Sequence, residues 1–196
     1  MPIVLIDNYD SFTFNLYQMV QELTDEAVVV QRNDKIDFAA VAALRPGRII
    51  MSPGPGHPAN ESDFGVCRDL IVRHAELGCA LLGVCLGHQG IVHHLGGTVR
   101  RAPEIVHGKS STVRVTSRSR LFEGLPPSFE VMRYHSLVAA EDDFPSVLEV
   151  TARESSGGLI MSLQHRSRPV YGVQFHPESI GTPEGKRILR NFIDLC

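Results

Sequence analysis

The sequence lacks the features that mark membrane, disulfide-rich and nucleic-acid-binding proteins. It has no apolar stretch near the ~20 residues that span a bilayer, and residues 1–7 lack the basic start and the long apolar run of a signal peptide. Its 4 cysteines form no Cys-x-x-Cys pair and are too few for a disulfide framework. The formal net charge of -3 gives no electrostatic reason to expect nucleic acid or a membrane as a partner. We expect a cytoplasmic protein with reduced thiols.

The order of the apolar segments predicts an α/β fold. In the first half, short runs of Ile, Val and Leu alternate with segments of helical spacing. The expected strands cover 3–6, 28–30, 48–51 and 79–84, and the expected helices cover 12–23, 36–44, 64–77 and 86–95. Because these strands are apolar throughout, they predict a mostly parallel central sheet with helices on both faces.

The second half is richer in strands than in helices. Short strands are expected over 112–116, 129–132, 147–151, 159–163 and 170–175, and a closing helix is expected over 184–195. Few helical segments remain to connect these strands, so some of them should pair antiparallel. No linker, repeat or low-complexity segment interrupts the chain, and we therefore expect one domain over residues 1–196.

A glycine-flanked cysteine is the strongest local signal. Residues 83–87, Gly-Val-Cys-Leu-Gly, follow an apolar strand and open a helix. This is the Gly-x-nucleophile-x-Gly pattern of a sharp turn, in which side chains at the two Gly positions would collide. The turn lifts the Cys85 thiol above the sheet at a helix N-terminus, where backbone N–H groups favour a thiolate. By itself the pattern also fits a buried core cysteine.

A nucleophilic cysteine needs a base, and the base needs an orienting group. His176 follows the strand expected to begin at 170, where active sites of parallel sheets collect, and Glu178 lies two residues further on. Glu178 can accept the Nδ1–H of His176 and leave Nε2 facing the thiol. Among the 9 histidines, only His176 combines a strand end with a carboxylate two residues away.

A loop rich in proline and glycine follows the strand expected over 48–51. Its sequence at 52–58 is Ser-Pro-Gly-Pro-Gly-His-Pro. Such a loop is rigid and exposes backbone N–H groups, so it can approach a ligand closely and serve as an oxyanion hole. It also fits an ordinary Pro/Gly turn. No metal site is predicted, because His88, His93 and His94 share a helix without the spacing or the carboxylate of a metal site.

Ordered motifs run through nearly the whole chain. They are Ile-Asp-Asn-Tyr-Asp-Ser-Phe-Thr at 6–13, Ser-Pro-Gly-Pro-Gly at 52–56, Gly-Val-Cys-Leu-Gly-His-Gln at 83–89, His-Gly-Lys-Ser at 107–110, Arg-Tyr-His-Ser-Leu at 133–137 and Gly-Val-Gln-Phe-His-Pro-Glu-Ser-Ile at 172–180. With these motifs the sequence resembles the class I (triad-type) glutamine amidotransferases, and most of all the small subunits of anthranilate synthase and aminodeoxychorismate synthase. It departs from the family at Cys79-Ala80, where Pro is frequent, and at Gly90, where Ala or Ser is frequent.

The resemblance implies a role for each matching residue. Cys85 would attack the side-chain carboxamide of L-glutamine, and His176 would act as general base and then protonate the departing ammonia. Glu178 would orient His176. The N–H groups of Gly54 and Leu86 would hold the oxyanion, and further residues would bind the backbone end of glutamine. The residues expected to bind substrate are Gly54, Pro55, Gly56, Leu86, Gln89, Ser136 and Leu137. No cofactor is implied.

The resemblance also implies a protein partner. Ammonia would pass to a chorismate-binding large subunit in a heterodimer or heterotetramer, and the segment 107–110 lies near that subunit in the family. Gly56 favours anthranilate synthase component II, because the folate-pathway subunits often carry Cys at this position. An aminodeoxychorismate synthase subunit, one subunit shared by both pathways, or an amidotransferase of secondary metabolism are the alternatives.

Two other kinds of function fit parts of the pattern. A peptidase or another thiol hydrolase could use the same sheet architecture, but the motifs at 83–89 and 133–137 argue against it. A catalytically silent subunit could merely stabilise a partner, but it would have no chemical need for Cys85, His176 and Glu178 together.

Overall fold

A computed structural model describes residues 1–102 and 108–195. Within them the strands are β1 (Ile3–Asp7), β2 (Val28–Arg32), β3 (Arg48–Met51), β4 (Ala80–Val84), β5 (Val99–Arg101), β6 (Lys109–Val115), β7 (Ser128–Arg133), β8 (Leu137–Ala139), β9 (Leu148–Glu154), β10 (Ile160–His165) and β11 (Val170–Val173). The α-helices are α1 (Thr13–Leu23), α2 (Phe38–Ala43), α3 (Glu61–Phe64), α4 (Cys67–Val72), α5 (Leu86–His94) and α6 (Gly185–Ile193). His107, from the motif at 107–110, and Cys196 lie outside the described residues.

The larger of two sheets has its strands in the order β2-β1-β3-β4-β11-β10-β9-β6-β7. Its first five strands are parallel to one another. Every residue of β1, β3 and β4 is buried, as expected for strands covered on both faces. Because the strands are parallel, their carboxyl ends lie at the same edge of the sheet, and this edge carries the site described below.

The rest of the large sheet is antiparallel. The pairs β11–β10, β10–β9, β9–β6 and β6–β7 all run in opposite directions. The predicted fold class, a mostly parallel sheet with added antiparallel strands in the second half, is therefore confirmed. Strands β5 and β8 form a separate two-stranded sheet. The sequence pattern misses it because three-residue strands are too short to show a periodicity.

Helices cover both faces of the sheet. On one face, α1 and α6 bury side chains such as Leu16, Ile188 and Phe192. On the other face, α4 and α5 bury side chains such as Leu70 and Ile91. Two apolar layers thus enclose the strands, which explains their unbroken hydrophobic runs. None of the helices in the described part of the chain has the length and apolar character that a bilayer crossing requires.

The single helix predicted over 64–77 is wrong. The structure has α3, a break at Gly65, then α4 and a short 3₁₀ turn over His74–Glu76. Gly65 has a φ of +45°, and a Cβ there would lie 2.4 Å from the backbone oxygen of Asn33. The helix therefore breaks because the loop after β2 packs closely against the backbone of Gly65. Helical spacing in the sequence does not reveal this contact.

Gly90 makes room for an aromatic ring. A Cβ at this position of α5 would lie 1.9 Å from Cζ of Phe64, whose side chain is buried. Phe64 also stacks on His94, with ring centroids 5.4 Å apart. The Phe64 ring thus occupies the space that the Ala or Ser side chain usual in the family would need at position 90.

We expect Gly90→Ala to destabilise the protein by about 1–3 kcal/mol, because the added methyl overpacks the core. The higher helix propensity of Ala, worth about 1 kcal/mol, offsets only part of this cost. Urea unfolding measures the change. In a Phe64→Leu background, the same Gly90→Ala substitution should become neutral or stabilising. An equal loss of stability in both backgrounds would rule out the ring as the cause.

Candidate active site

The carboxyl ends of three neighbouring strands bring the predicted segments together. Val84 of β4 pairs with Val173 of β11, so Cys85 and Gln174 leave the sheet side by side. Strand β3 lies on the other side of β4, and the loop 52–58 leaves from its end. This is the edge at which open α/β sheets bind their ligands.

The turn at Cys85 has the predicted strained geometry. Cys85 has φ 52° and ψ -98°, values that non-glycine residues rarely adopt, and its N–H donates to the Val173 carbonyl at 2.8 Å. A Cβ on Gly83 would lie 2.4 Å from the carbonyl carbon of Gly87. A Cβ on Gly87 would lie 2.8 Å from the Met51 oxygen. Both flanking glycines are therefore required by close backbone packing, as the pattern predicts.

His176 and Glu178 form a buried pair. Nδ1 of His176 lies 2.7 Å from Oε1 of Glu178, and the two side chains are almost fully buried. The backbone of His176 is fixed as well, because its N–H donates to the Met132 carbonyl at 3.1 Å and its carbonyl accepts from Thr182 Oγ1 at 2.7 Å. The predicted hydrogen bond is present, and it leaves Nε2 as the free face of the imidazole.

The surroundings of His176 favour its charged form. Burial lowers the pKa of His176, but the electrostatic influence of Cys85 and the hydrogen bond to Glu178 outweigh burial and raise that pKa overall. Nε2 is buried and makes no hydrogen bond within the usual limits to any described residue. In enzymes without substrate, catalytic hydrogen bonds are often long and tighten only when a substrate binds.

Two aromatic rings enclose the imidazole. Phe12 and Tyr134 meet His176 edge-on, with ring centroids 5.9 Å and 5.0 Å away. The same two rings line a surface cavity of about 430 Å³ that reaches Glu178 and the exposed Ile180. They shield one side of the His176–Glu178 pair from water, which strengthens the electrostatic interaction between the two groups.

The Pro-Gly loop is tied to the end of β1. The N–H of Asn8 donates to Ser52 Oγ and its Nδ2 donates to the Ser52 carbonyl, both at 2.8 Å. A Cβ at Gly54 would lie 2.6 Å from the Asn8 oxygen and 2.8 Å from Leu86 Cδ2. The absence of a side chain at Gly54 thus lets its backbone pack directly against Leu86, the residue after Cys85.

Gly56 has a structural explanation of its own. It has a φ of +91°, and a Cβ there would lie 2.2 Å from Oδ2 of Asp63. That carboxylate accepts hydrogen bonds from the N–H of His57 and from Asn60 Nδ2, both at 3.0 Å. The backbone bond from His57 is the main cause that lowers the pKa of Asp63. Pro55, between the two glycines, is exposed.

The predicted glutamine-binding residues lie beside the turn. Gln89 on α5 donates through Nε2 to the Leu137 carbonyl at 3.1 Å, so these two are joined. Ser136 is exposed, and its carbonyl accepts from the N–H of Ala102 at 2.8 Å. Hydrogen bonds to two successive backbone carbonyls thus hold this segment in place, while the Ser136 side chain faces solvent.

Gln174 is a site residue that the sequence interpretation misses. It is fully buried, and its Nε2 lies 3.6 Å from the sulfur of Cys85. A signal for it exists, because residues two apart in an extended segment share a face, and Gln174 precedes His176 by two. His135 and Arg133 are also buried nearby, with Arg133 Nε 3.0 Å from His135 Nε2.

Over residues 1–102 and 108–195, no three His, Cys, Asp or Glu side chains are grouped so that they could hold a metal ion. Nε2 of His94 lies 3.0 Å from the Pro58 carbonyl, and the His93 ring meets those of His94 and His57 edge-on. The thiols of Cys67, Cys79 and Cys85 are all buried. The arrangement is suited to thiol chemistry, because Cys85, His176 and Glu178 are the residue types that can serve as nucleophile, base and orienting carboxylate.

The comparisons with known proteins agree with this geometry. The family model of the class-I glutamine amidotransferases matches residues 4–195. The chain belongs to this family. Anthranilate synthase component 2 of Methanothermobacter thermautotrophicus is 50% identical to this amidotransferase over 196 residues, and the match covers 97% of each chain. Aminodeoxychorismate synthase of Streptomyces griseus is 48% identical over 202 residues, covering 100% of this chain and 26% of the longer protein.

A solved structure shares the fold of this amidotransferase. The crystal structure of a glutamine amidotransferase from Thermotoga maritima superposes with a TM-score of 0.81 at 14% identity. The superposition covers 99% of this chain and 96% of that one. At so low an identity the likeness shows the fold alone, and it agrees with the α/β architecture found here.

We expect His176 to remain protonated well above pH 6.5, the ordinary value for histidine, because Cys85 and Glu178 raise its pKa. A raised pKa in the folded state stabilises the fold fully below the unfolded pKa, and this stabilisation is lost as the pH rises through the folded value. NMR titration of the imidazole C–H signals measures the midpoint. Glu178→Gln should lower it by at least one unit.

His165 provides the control for this titration. Burial and Arg168 lower its pKa, so its midpoint should lie below 6.5 in both the wild type and the Glu178→Gln variant. A wild-type His176 midpoint near 6.5 would show that the pair does not hold the imidazolium.

Proposed function

We propose that this amidotransferase hydrolyses L-glutamine through a triad of Cys85, His176 and Glu178. The observation that carries the proposal is the buried His176–Glu178 pair, which lies next to a cysteine held at a strained strand-to-helix turn. A general base with a fixed tautomer beside a nucleophile at a helix N-terminus is what amide cleavage by a thiol requires.

In the first step the Cys85 thiolate adds to the carbon of the side-chain carboxamide, and the carbonyl π electrons move to oxygen. The N–H groups of Leu86 and Gly54 hold this oxyanion, and the packing of Gly54 against the Leu86 side chain supports this by bringing the two residues together. The tetrahedral intermediate collapses when His176 gives its Nε2 proton to the nitrogen. The C–N bond breaks, ammonia leaves, and a γ-glutamyl thioester remains on Cys85.

In the second step water attacks the thioester carbon. His176, now neutral, takes a proton from the water, and Glu178 stabilises the imidazolium that forms. The C–S bond breaks with the sulfur leaving as thiolate, and glutamate is released. The imidazolium and the thiolate are restored together, so each turnover consumes one glutamine and one water.

Glutamine is held by residues around the turn. Nε2 of Gln89 donates to the Leu137 carbonyl, so its Oε1 is left to accept from the α-ammonium group of the substrate. The exposed Ser136 and the loop at Pro55 and Gly56 lie at the surface, where they can contact the carboxylate end. This arrangement places the substrate backbone outside and its carboxamide against Cys85.

The ammonia passes to a chorismate-binding large subunit in the cytoplasm, most consistently as part of anthranilate synthase. Support for this comes from the full-length similarity to an anthranilate synthase component 2. The glycine at position 56 adds little support for anthranilate synthase, because its positive φ and the adjacent Asp63 already explain why a glycine stands there. An aminodeoxychorismate synthase subunit is the alternative, supported by the similarity to the Streptomyces griseus protein.

One fully exposed apolar side chain beside the triad supports a protein partner. Ile180 is fully exposed two residues after Glu178, and it borders the cavity lined by Phe12 and Tyr134. Phe12 and Tyr134 are half-buried beside it, and the rest of the cavity lining is mostly polar. Gly108, at the described end of the motif 107–110, lies beside Tyr134, with 3.6 Å between its Cβ position and the ring.

We expect Cys85→Ala to abolish glutamate release from glutamine, because no other group can form the thioester. In the complex with the large subunit, synthesis from added ammonium salt should continue at the wild-type rate. Cys79→Ala is the matched control, since it removes a buried thiol from the start of the same strand region and should keep glutaminase activity. Glutaminase activity in Cys85→Ala would overturn the triad.

The pathway is tested by the product. Co-expressed with the chorismate-binding subunit that copurifies with it, the chain should support formation of anthranilate from chorismate and glutamine. Aminodeoxychorismate as the product would favour the folate alternative. Cleavage of peptides without glutamate release would favour a thiol peptidase, and a complex that forms but uses only ammonia would indicate a silent subunit.

A further inference from the structure

Gln174 occupies a position that the proposed triad does not use. It directly follows β11, as Cys85 directly follows β4, and the two strands pair through Val84 and Val173. The side chain of Gln174 is fully buried, and its Nε2 lies 3.6 Å from the Cys85 sulfur, within the range of N–H···S hydrogen bonds. A buried amide against a nucleophilic sulfur needs a definite orientation, because its oxygen would repel a thiolate.

The orientation of Gln174 follows from a backbone carbonyl. The Leu137 oxygen can only accept, so the atom of Gln89 that lies 3.1 Å from it must be Nε2. The second hydrogen on that nitrogen points to Gln174 at 3.2 Å, so the facing atom of Gln174 must be Oε1. Nε2 of Gln174 is then the atom directed at the sulfur.

The Leu137 carbonyl, from which this series of hydrogen bonds begins, has a second donor that is also fixed. Arg133 can only donate, so its Nε bond to His135 Nε2 makes that nitrogen an acceptor. The ring proton of His135 is then on Nδ1, which donates to the Leu137 carbonyl at 3.0 Å. Burial and the charge of Arg133 lower the pKa of His135 to about 3, so this tautomer is kept at neutral pH.

We propose that Gln174 is a further catalytic residue, whose Nε2–H donates to the Cys85 sulfur and stabilises its thiolate. Gln89 is the positioning residue, since it sets which end of the Gln174 amide faces the sulfur. The bond is strongest when sulfur is charged, because hydrogen bonds to ionised groups are stronger than neutral ones. Its benefit therefore falls on thiolate formation and on thioester breakdown, where the sulfur leaves as an anion.

The inference rests on Cys85 as the proposed nucleophile, and it is tested without glutamine. Iodoacetamide alkylates thiolates, and mass spectrometry of the Cys85 peptide follows its rate as a function of pH in the full chain. Gln174→Met keeps the length of the side chain and removes the donor. Gln174→Glu keeps the acceptor for Gln89 and places an oxygen against the sulfur.

We expect the pH of half-maximal alkylation to rise by about one unit or more in Gln174→Met, and at least as far in Gln174→Glu. One unit corresponds to the loss of a roughly tenfold preference for the thiolate, in the range for a hydrogen bond to a charged group. Gln164→Met is the matched control. It removes two Nε2 hydrogen bonds on β10, away from Cys85, and should leave the midpoint unchanged.

The outcomes separate this inference from the proposed function. If wild-type Cys85 reacts no faster than the buried Cys67, the nucleophile assignment fails and the role of Gln174 fails with it. If wild-type Cys85 reacts quickly and both Gln174 variants keep its pH profile, only the role of Gln174 is overturned. A folded Gln174→Glu decides the question should Gln174→Met fail to fold.

Discussion

The parallel pairing of β4 with β11 is the constraint on which the site depends. It places Cys85 and Gln174 side by side, and it fixes the strained turn through the bond from the Cys85 N–H to the Val173 carbonyl. His176 then follows two residues later on the same path. A shift of register by one residue would turn Gln174 away from the sulfur, because neighbouring residues of a strand point to opposite faces.

Charge in this buried site is balanced by fixed dipoles and by one carboxylate. Burial opposes the imidazolium of His176, and Glu178 offsets this at 2.7 Å. In the proposed mechanism, the Cys85 thiolate is stabilised by the N-terminus of the helix that begins at Leu86 and by the amide of Gln174. Each charged group has its partner in place before substrate arrives, so little reorganisation is required during the reaction.

Local features of the site could be predicted from the sequence, and features that join distant segments could not. The turn at Cys85 and the His176–Glu178 pair depend on residues within five positions of one another, and their sequence patterns are direct. The link from Leu137 through Gln89 to Gln174 joins three elements, and only the sheet register creates it. The break at Gly65 likewise depends on Asn33, which lies far away in the chain.

The side chains proposed to activate Cys85 come after it in the chain. The segment directly after β11 carries Gln174, His176 and Glu178. Strand β11 is the last of the described strands, and it inserts beside β4 rather than adding to the edge of the sheet. During synthesis the thiol therefore lacks its proposed base and its proposed donor until residues 174–178 have been made. If these roles hold, a partly made chain does not yet carry an activated cysteine.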